Sequence, residues 1–227
     1  MMSSQLALGI GLKPTVNFSG FIPGRNGEAV SRLLSGTDSF IYLWGESGSG
    51  KTHLLQASCH QQDESGGTCA YIPLAQINEL EPGILEGLET LDLVCLDDLE
   101  KVTGDPAWEI ALFNLFNQLR ERDARLLITA NSAPAGVDIR LADLASRLTW
   151  GPCYHLLPLD DDGRLILLTQ LSQQRGLELS KDTASYLLHR IPRDISSITG
   201  LLEQLDQASL AAKRKLTIPF VREVLGL

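Results

Sequence analysis

Several things are scarce in this 227-residue sequence, and each scarcity removes a class of protein. No stretch of about 18 or more apolar residues occurs, so nothing spells a membrane-crossing helix. Met1–Lys13 has neither the basic start nor the long apolar centre of a secretory leader, and cytoplasm is the expected compartment. Cysteine is sparse: Cys59, Cys69, Cys95 and Cys153 are scattered, with no C-x-x-C and no histidine at ligand spacing. Neither a disulfide framework nor a zinc site is expected from that pattern. A surplus of basic charge is also missing. Net charge is −9, and Leu156–Leu227 carries nine residues of each sign, so the whole acidic excess lies before it. Duplex DNA binding normally rests on a cationic face that displaces counterions. With no such face, and no tail expected beyond Leu227 to supply one, direct sequence-specific DNA binding is not expected.

What is present centres on Phe40–Thr52, Phe-Ile-Tyr-Leu-Trp-Gly-Glu-Ser-Gly-Ser-Gly-Lys-Thr. An apolar run ends in a glycine-rich turn, and Lys-Thr opens a helix. Gly45, Gly50, Lys51 and Thr52 satisfy G-x-x-x-x-G-K-[ST] between a strand and a helix, the setting that gives the motif its meaning. Glycines let successive N–H groups of Gly45, Glu46, Ser47, Gly48, Ser49 and Gly50 curl around phosphate oxygens. The helix N-terminus through His53 adds a positive dipole end. Lys51 is expected to reach the terminal phosphates and Thr52 to ligate Mg²⁺.

Upstream, Glu28–Leu34 reads as an amphipathic helix with Ala29, Val30, Leu33 and Leu34 turned inward. Just before it, Ile22 and Pro23 are candidates to wall off the base of a nucleotide. Downstream, Thr68–Pro73 reads as a strand and Gln76–Leu91 as short helices broken near Pro82-Gly83. Leu91–Asp98 is an apolar strand ending in paired carboxylates, as a phosphate-loop protein needs beside its metal. Asp97 is expected to hold Mg²⁺ through water and Asp98 to orient the attacking water. Asp98 is one methylene shorter than the glutamate many hydrolytic members place there, so intrinsic hydrolysis is expected to be slow. Asp105-Pro106 caps a helix running to about Arg122, with Ile110, Leu112, Phe113, Leu115, Phe116 and Leu119 on its apolar face. Arg125–Thr129 is a buried strand, and Asn131 follows in the crevice where α/β sheets bind ligands. Asp138–Leu148 reads as one helix carrying Arg140 and Arg147, and Cys153–Leu157 as the last strand. From Leu159 the pattern is helical only, with helices over Asp162–Arg175, Ser180–His189, Pro192–Lys213 and Thr217–Leu225.

In this order the pieces resemble an AAA+ ATPase module from about Val16 to the end. Gly-Lys-Thr-His-Leu-Leu-Gln-Ala at 50–57 and Ala-Asp-Leu-Ala-Ser-Arg-Leu-Thr-Trp-Gly at 142–151 are similar to the nucleotide-binding domain of DnaA, in the initiator clade. DnaA's C-terminal helix-turn-helix domain and N-terminal interaction domain have no counterpart in the sequence. Gln5-Leu6-Ala7-Leu8-Gly9-Ile10 resembles a sliding-clamp binding motif. With the Lys-Arg-Lys-Leu-Thr-Ile-Pro-Phe-Val-Arg-Glu-Val-Leu ending at 213–225, these features resemble the DnaA-related regulatory inactivators.

The resemblance implies a parallel five-stranded P-loop α/β domain over 15–158 and a small all-α lid over 159–227. A flexible clamp-binding segment over 1–14 precedes them, with Gln5, Leu6, Leu8 and Ile10 as its contacts. Asn131 takes the sensor-1 position and Arg193 the sensor-2 position. Arg147 takes the arginine-finger position, pointing into a neighbour's site, and Arg140 is nearby without being the finger. The implied nucleotide is ADP, with ATP as the alternative, together with Mg²⁺. The implied partners are DnaA and the DNA polymerase III sliding clamp (its beta subunit), with a homodimer left open. The activity expected on this basis is stimulation of ATP hydrolysis by DnaA, which prevents re-initiation of replication. The competing expectations are a DnaC-like helicase loader and a clamp adaptor without a working finger.

Overall fold

The structure is a computed structural model, and it describes residues 16–79, 81–190, 195–212 and 214–226. It forms two compact units, one ending at Leu157 and the other beginning at Pro158. Among the described residues no helix is long and apolar enough to cross a membrane.

The first unit is a five-stranded parallel sheet in the order β2-β3-β4-β1-β5. Its strands are β1 (Phe40–Trp44), β2 (Cys69–Pro73), β3 (Leu93–Asp97), β4 (Arg125–Ala130) and β5 (Cys153–His155). Its helices are α1 (Gly27–Ser35), α2 (Lys51–Glu64), α3 (Pro106–Glu121) and α4 (Ala142–Arg147). Crossovers between parallel strands are right-handed, so the direction of each step across the sheet dictates which face its connection covers. The step from β1 to β2 runs one way, and its helix α2 packs with α1 against Ile41, Leu43, Tyr71, Leu93, Cys95 and Leu127. Every later step runs the other way, and its connections pack against Phe40, Tyr42, Ile72, Val94, Leu96, Leu126 and Ile128. The alternation within Phe40–Leu43 is the two-residue period of a strand buried on both faces. In-phase register sets Trp44 opposite Ala130 and Pro73 opposite Asp97, so the turns after β1, β3 and β4 share one edge.

The second unit contains α5 (Asp161–Gln174), α6 (Lys181–Leu188), α7 (Ile195–Ala212) and α8 (Ile218–Leu225). Side-chain caps start two of them: Asp160 accepts from the Gly163 N–H and Ser180 from the Thr183 N–H. Such caps satisfy N–H groups that the helix itself leaves unpaired. The unit closes on its own core of Leu168, Leu187, Ile198, Leu202, Leu205 and Val221.

Four details depart from the sequence reading. Leu34 and Ile110 are 44% and 54% exposed, not inward. The segment between β2 and β3 holds three short 3₁₀ helices, Leu74–Glu79, Pro82–Leu85 and Leu88–Thr90, where one or two short helices were expected. Strand β3 stops at Asp97, and Asp98 turns left-handed at φ 61°, a conformation aspartate tolerates better than most residues. The helix expected over Asp138–Leu148 is only Ala142–Arg147. Residues Arg140 and Leu141 instead give their N–H groups to the buried carboxylate of Glu109, so Arg140 lies ahead of the helix rather than on its face.

Candidate functional site

At the carboxyl edge of the sheet the chain turns from β1 into α2 through Gly45–Gly50. Two of its glycines are required by space. A Cβ on Gly45 would lie 2.4 Å from the Leu156 carbonyl oxygen, and one on Gly50, at φ 95°, would lie 2.6 Å from the Phe21 ring. The same ring sits 5.4 Å from that of His53, whose Nε2 is 2.8 Å from the Asn17 carbonyl oxygen. Burial lowers the His53 imidazole's affinity for a proton, partly offset by that carbonyl. The segment carrying Ile22 and Pro23 is thereby moored beside the loop. Asn26 completes the mooring: its buried amide donates to the Leu157 carbonyl and accepts from the Leu157 N–H, both at 2.8 Å.

Lys51 is buried, and its ammonium donates to the carbonyls of Gly45 (2.8 Å) and Glu46 (3.1 Å). The Ser49 hydroxyl oxygen is buried with no hydrogen-bond partner among the described residues. A buried hydroxyl without a partner costs free energy unless another group completes it. Together with the glycine turn, a buried cation and a helix N-terminus, it forms a donor set that fits a phosphate chain.

Beyond Lys51 lies a carboxylate held from three sides. Asp97 is 2% exposed. Its Oδ2 accepts from the Thr52 and Tyr71 hydroxyls, both at 2.7 Å, and its Oδ1 accepts from the Thr129 hydroxyl. Thr129 also accepts from the Asp98 N–H at 3.0 Å, which fixes the left-handed turn. Burial, then the charges of Asp97 and Glu100, raise the Asp98 carboxyl above the ordinary aspartate range. Burial and the adjacent Asp97 charge also push the Tyr71 phenol up, so it stays a donor. Asn131 is exposed at the end of β4, and its N–H donates to Glu100 at 3.2 Å. Oxygen donors at Thr52 and Asp97 suit a hard divalent cation such as Mg²⁺.

Arg147 ends α4. Its Nε donates to the Asn117 side-chain oxygen at 3.2 Å, and its guanidinium lies 3.8 Å from the Trp150 ring centre and 5.7 Å from that of Phe113. Arg120 lies 4.5 Å from the same indole, and Phe116 meets it edge-on. Among the described residues no carboxylate is within ion-pair distance of Arg147. Behind α4, Glu109 is 1% exposed and accepts from the N–H groups of Gly104 (2.8 Å), Arg140 (3.0 Å) and Leu141 (2.7 Å). Burial opposes its ionisation, but these donors outweigh it and hold the carboxyl below the ordinary glutamate range.

The register therefore brings Gly45–His53, Asp97, Asp98 and Asn131 to one edge. Arg193 and the candidate clamp contacts Gln5, Leu6, Leu8 and Ile10 lie outside the described residues. Tyr71, Thr129, Asn26, Glu109, Asn117 and Trp150 did not emerge from the sequence. Thr129, a lone hydroxyl within an apolar run, is the one with a local signal.

A parallel sheet in this order, with its glycine loop, buried lysine and carboxylate at the neighbouring strand ends, and a helical unit following, defines an AAA+ nucleotide-binding module. The family model for the bacterial DnaA ATPase domain matches residues 12–154, and the one for the Hda lid domain matches residues 161–225. The chain belongs to the bacterial DnaA ATPase-domain family, and it is an Hda-like, DnaA-related protein. Domain III of the Thermotoga maritima replication initiation protein DnaA superposes with a TM-score of 0.82 at 21% identity, covering 95% of this chain and 98% of that one. AMPPCP-bound DnaA from Aquifex aeolicus gives 0.74 at 24% identity, covering 87% and 67%. The Holliday junction branch migration motor RuvB of Thermotoga maritima gives 0.72 at 14%, covering 95% and 72%. At these identities the likeness is one of fold.

Proposed function

We propose that this DnaA-related replication regulator acts on ATP-bound DnaA by inserting Arg147 into DnaA's nucleotide site and stimulating hydrolysis there. ADP-bound DnaA results, and re-initiation is suppressed. The observation that carries this reading is the state of Arg147. It is propped on Trp150 and Phe113 with Asn117 at Nε, and no described carboxylate neutralises it. A cation so placed is free to meet an anion from outside, and a guanidinium supplied in trans stabilises charge on the transferring phosphoryl group.

In the same reading the chain's own loop holds ADP, with ATP as the alternative. Gly45–Gly50 and Lys51 bind its phosphates, Ile22, Pro23 and His53 flank it, and Arg193 takes the sensor-2 role that the family resemblance implies. When bound, Mg²⁺ would be held by Thr52 and, through water, Asp97, where it would neutralise phosphate charge. Asp98, one methylene shorter than the glutamate many hydrolytic members carry there, supports slow turnover in this site. The Aquifex aeolicus DnaA with AMPPCP supports an adenine nucleotide. Gln5, Leu6, Leu8 and Ile10 would tether the chain to the sliding clamp, which delegates DNA contact and agrees with the net charge of −9.

The test is hydrolysis of DnaA-bound ATP with and without DNA-loaded clamp. Stimulation is expected only when chain and clamp are both present. It should vanish for Arg147→Ala, and it should also be lost when Gln5 and Leu8 are both changed to Ala, because clamp binding is then abolished. Unchanged stimulation by Arg147→Ala would overturn the finger assignment.

A further inference from the structure

We infer that Tyr71 is a positioning residue for the metal-facing carboxylate of Asp97, an inference that rests on the nucleotide and Mg²⁺ reading above. The Tyr71 hydroxyl reaches Asp97 Oδ2 at 2.7 Å from β2, one strand away, on the face covered by α2. Both residues are nearly fully buried, at 6% and 2% exposure. Gln56 of α2, itself buried, hydrogen-bonds the same hydroxyl. The phenol is thus gripped by a helix residue on one side and grips a strand-end carboxylate on the other.

The geometry explains why a third donor is needed. Asp97 has three hydroxyl partners, from Thr52, Tyr71 and Thr129. In the nucleotide reading, Thr52 would turn an oxygen lone pair to the metal while its O–H goes on donating to Asp97 Oδ2, so its position would follow the ion. The two donors that do not themselves face the metal are Thr129 on Oδ1 and Tyr71 on Oδ2. Without Tyr71, Oδ2 is held only by the Thr52 hydroxyl, which would itself follow the ion, and the carboxylate loses its metal-independent anchor on that oxygen. Groups behind a metal-facing ligand act in this way, by orientation rather than by contact with the ion. A purely structural phenol would equally well hydrogen-bond a backbone carbonyl. Here the hydroxyl is directed at the carboxylate that also accepts from Thr52 of the phosphate loop.

The experiment uses the full chain and its Tyr71→Phe variant, which removes a single oxygen. Affinity for a fluorescent ADP is measured in EDTA and across a MgCl₂ titration, and Mn²⁺ binding to the ADP complex is followed by electron paramagnetic resonance. The wild type is expected to bind ADP more tightly with Mg²⁺. Tyr71→Phe should keep the EDTA affinity and require about tenfold more Mg²⁺ or Mn²⁺, the low end for loss of a group behind a metal ligand. An identical metal titration in both proteins overturns the positioning role while leaving the nucleotide reading intact. An equal loss of affinity in EDTA and in Mg²⁺ also overturns it, because a phenol that merely packs the core would act that way. A wild type indifferent to Mg²⁺ overturns the metal reading itself, and this inference with it.

Discussion

The carboxyl edge of the sheet and the Arg147 cluster are built on opposite principles. At the edge, polar groups are buried and turned on one another: Lys51 on the loop's carbonyls, and Thr52, Tyr71 and Thr129 on Asp97. Around Arg147 the charge is half-exposed and rests on aromatic faces, which hold it without neutralising it. Burial makes each hydrogen bond at the edge costly to break, because a partner left behind stays unsatisfied. Stacking on an aromatic face is weaker and leaves the guanidinium's outer N–H groups available. One arrangement suits a ligand that lodges within the chain, the other a ligand that belongs to someone else.

That contrast predicts separable failures. Arg147→Ala should lower the stimulated hydrolysis of DnaA-bound ATP by on the order of 10³-fold or more, as expected for loss of an arginine finger. The chain's own ADP affinity, measured by fluorescence titration, should stay unchanged; a parallel loss would merge the two sites. Lys51→Ala should weaken ADP binding about 100-fold, the loss of one or two charge-assisted bonds. Gly45→Ala should perturb the loop without touching Arg147, because its Cβ meets the Leu156 carbonyl at 2.4 Å. A fall in melting temperature equivalent to about 1–3 kcal/mol is expected in calorimetry, the usual cost of overpacking.

The smallest expected effect is pH-dependent. The Glu109 carboxyl is held below its ordinary value of 4.5, so its contribution to stability is fully present above that pH and is lost as pH falls below it. Glu109→Gln should therefore cost about 2 kcal/mol near neutrality, in line with hydrogen bonds to a buried charged acceptor. The gap in stability between the two proteins should shrink progressively as pH falls below 4.5. A gap that persists into acid would mean that shape rather than charge holds the loop.

The architecture was legible because its signals are local. Apolar strands alternate with helices, and glycines punctuate the turn before Lys51. The parallel register then carries Asp97 and Asn131 to the phosphate loop without further information. Tyr71 and Glu109 were not legible, because their meaning lies 26 and 31–32 residues away in sequence. Asn26 is more extreme, meeting Leu157 across 131 residues. The over-long helix at Asp138–Leu148 failed for the same reason. Its apolar spacing suits a helix, but a distant carboxylate claims the N–H groups at its start.

The grip of Glu109 has a consequence for how this chain tolerates change. It holds Arg140 and Leu141 by their main-chain N–H groups and is indifferent to the side chains those positions carry. Nineteen of the twenty amino acids offer the same handle, and only proline withdraws it. The approach to Arg147 can thus be rewritten letter by letter while the main chain leading to the arginine keeps its place.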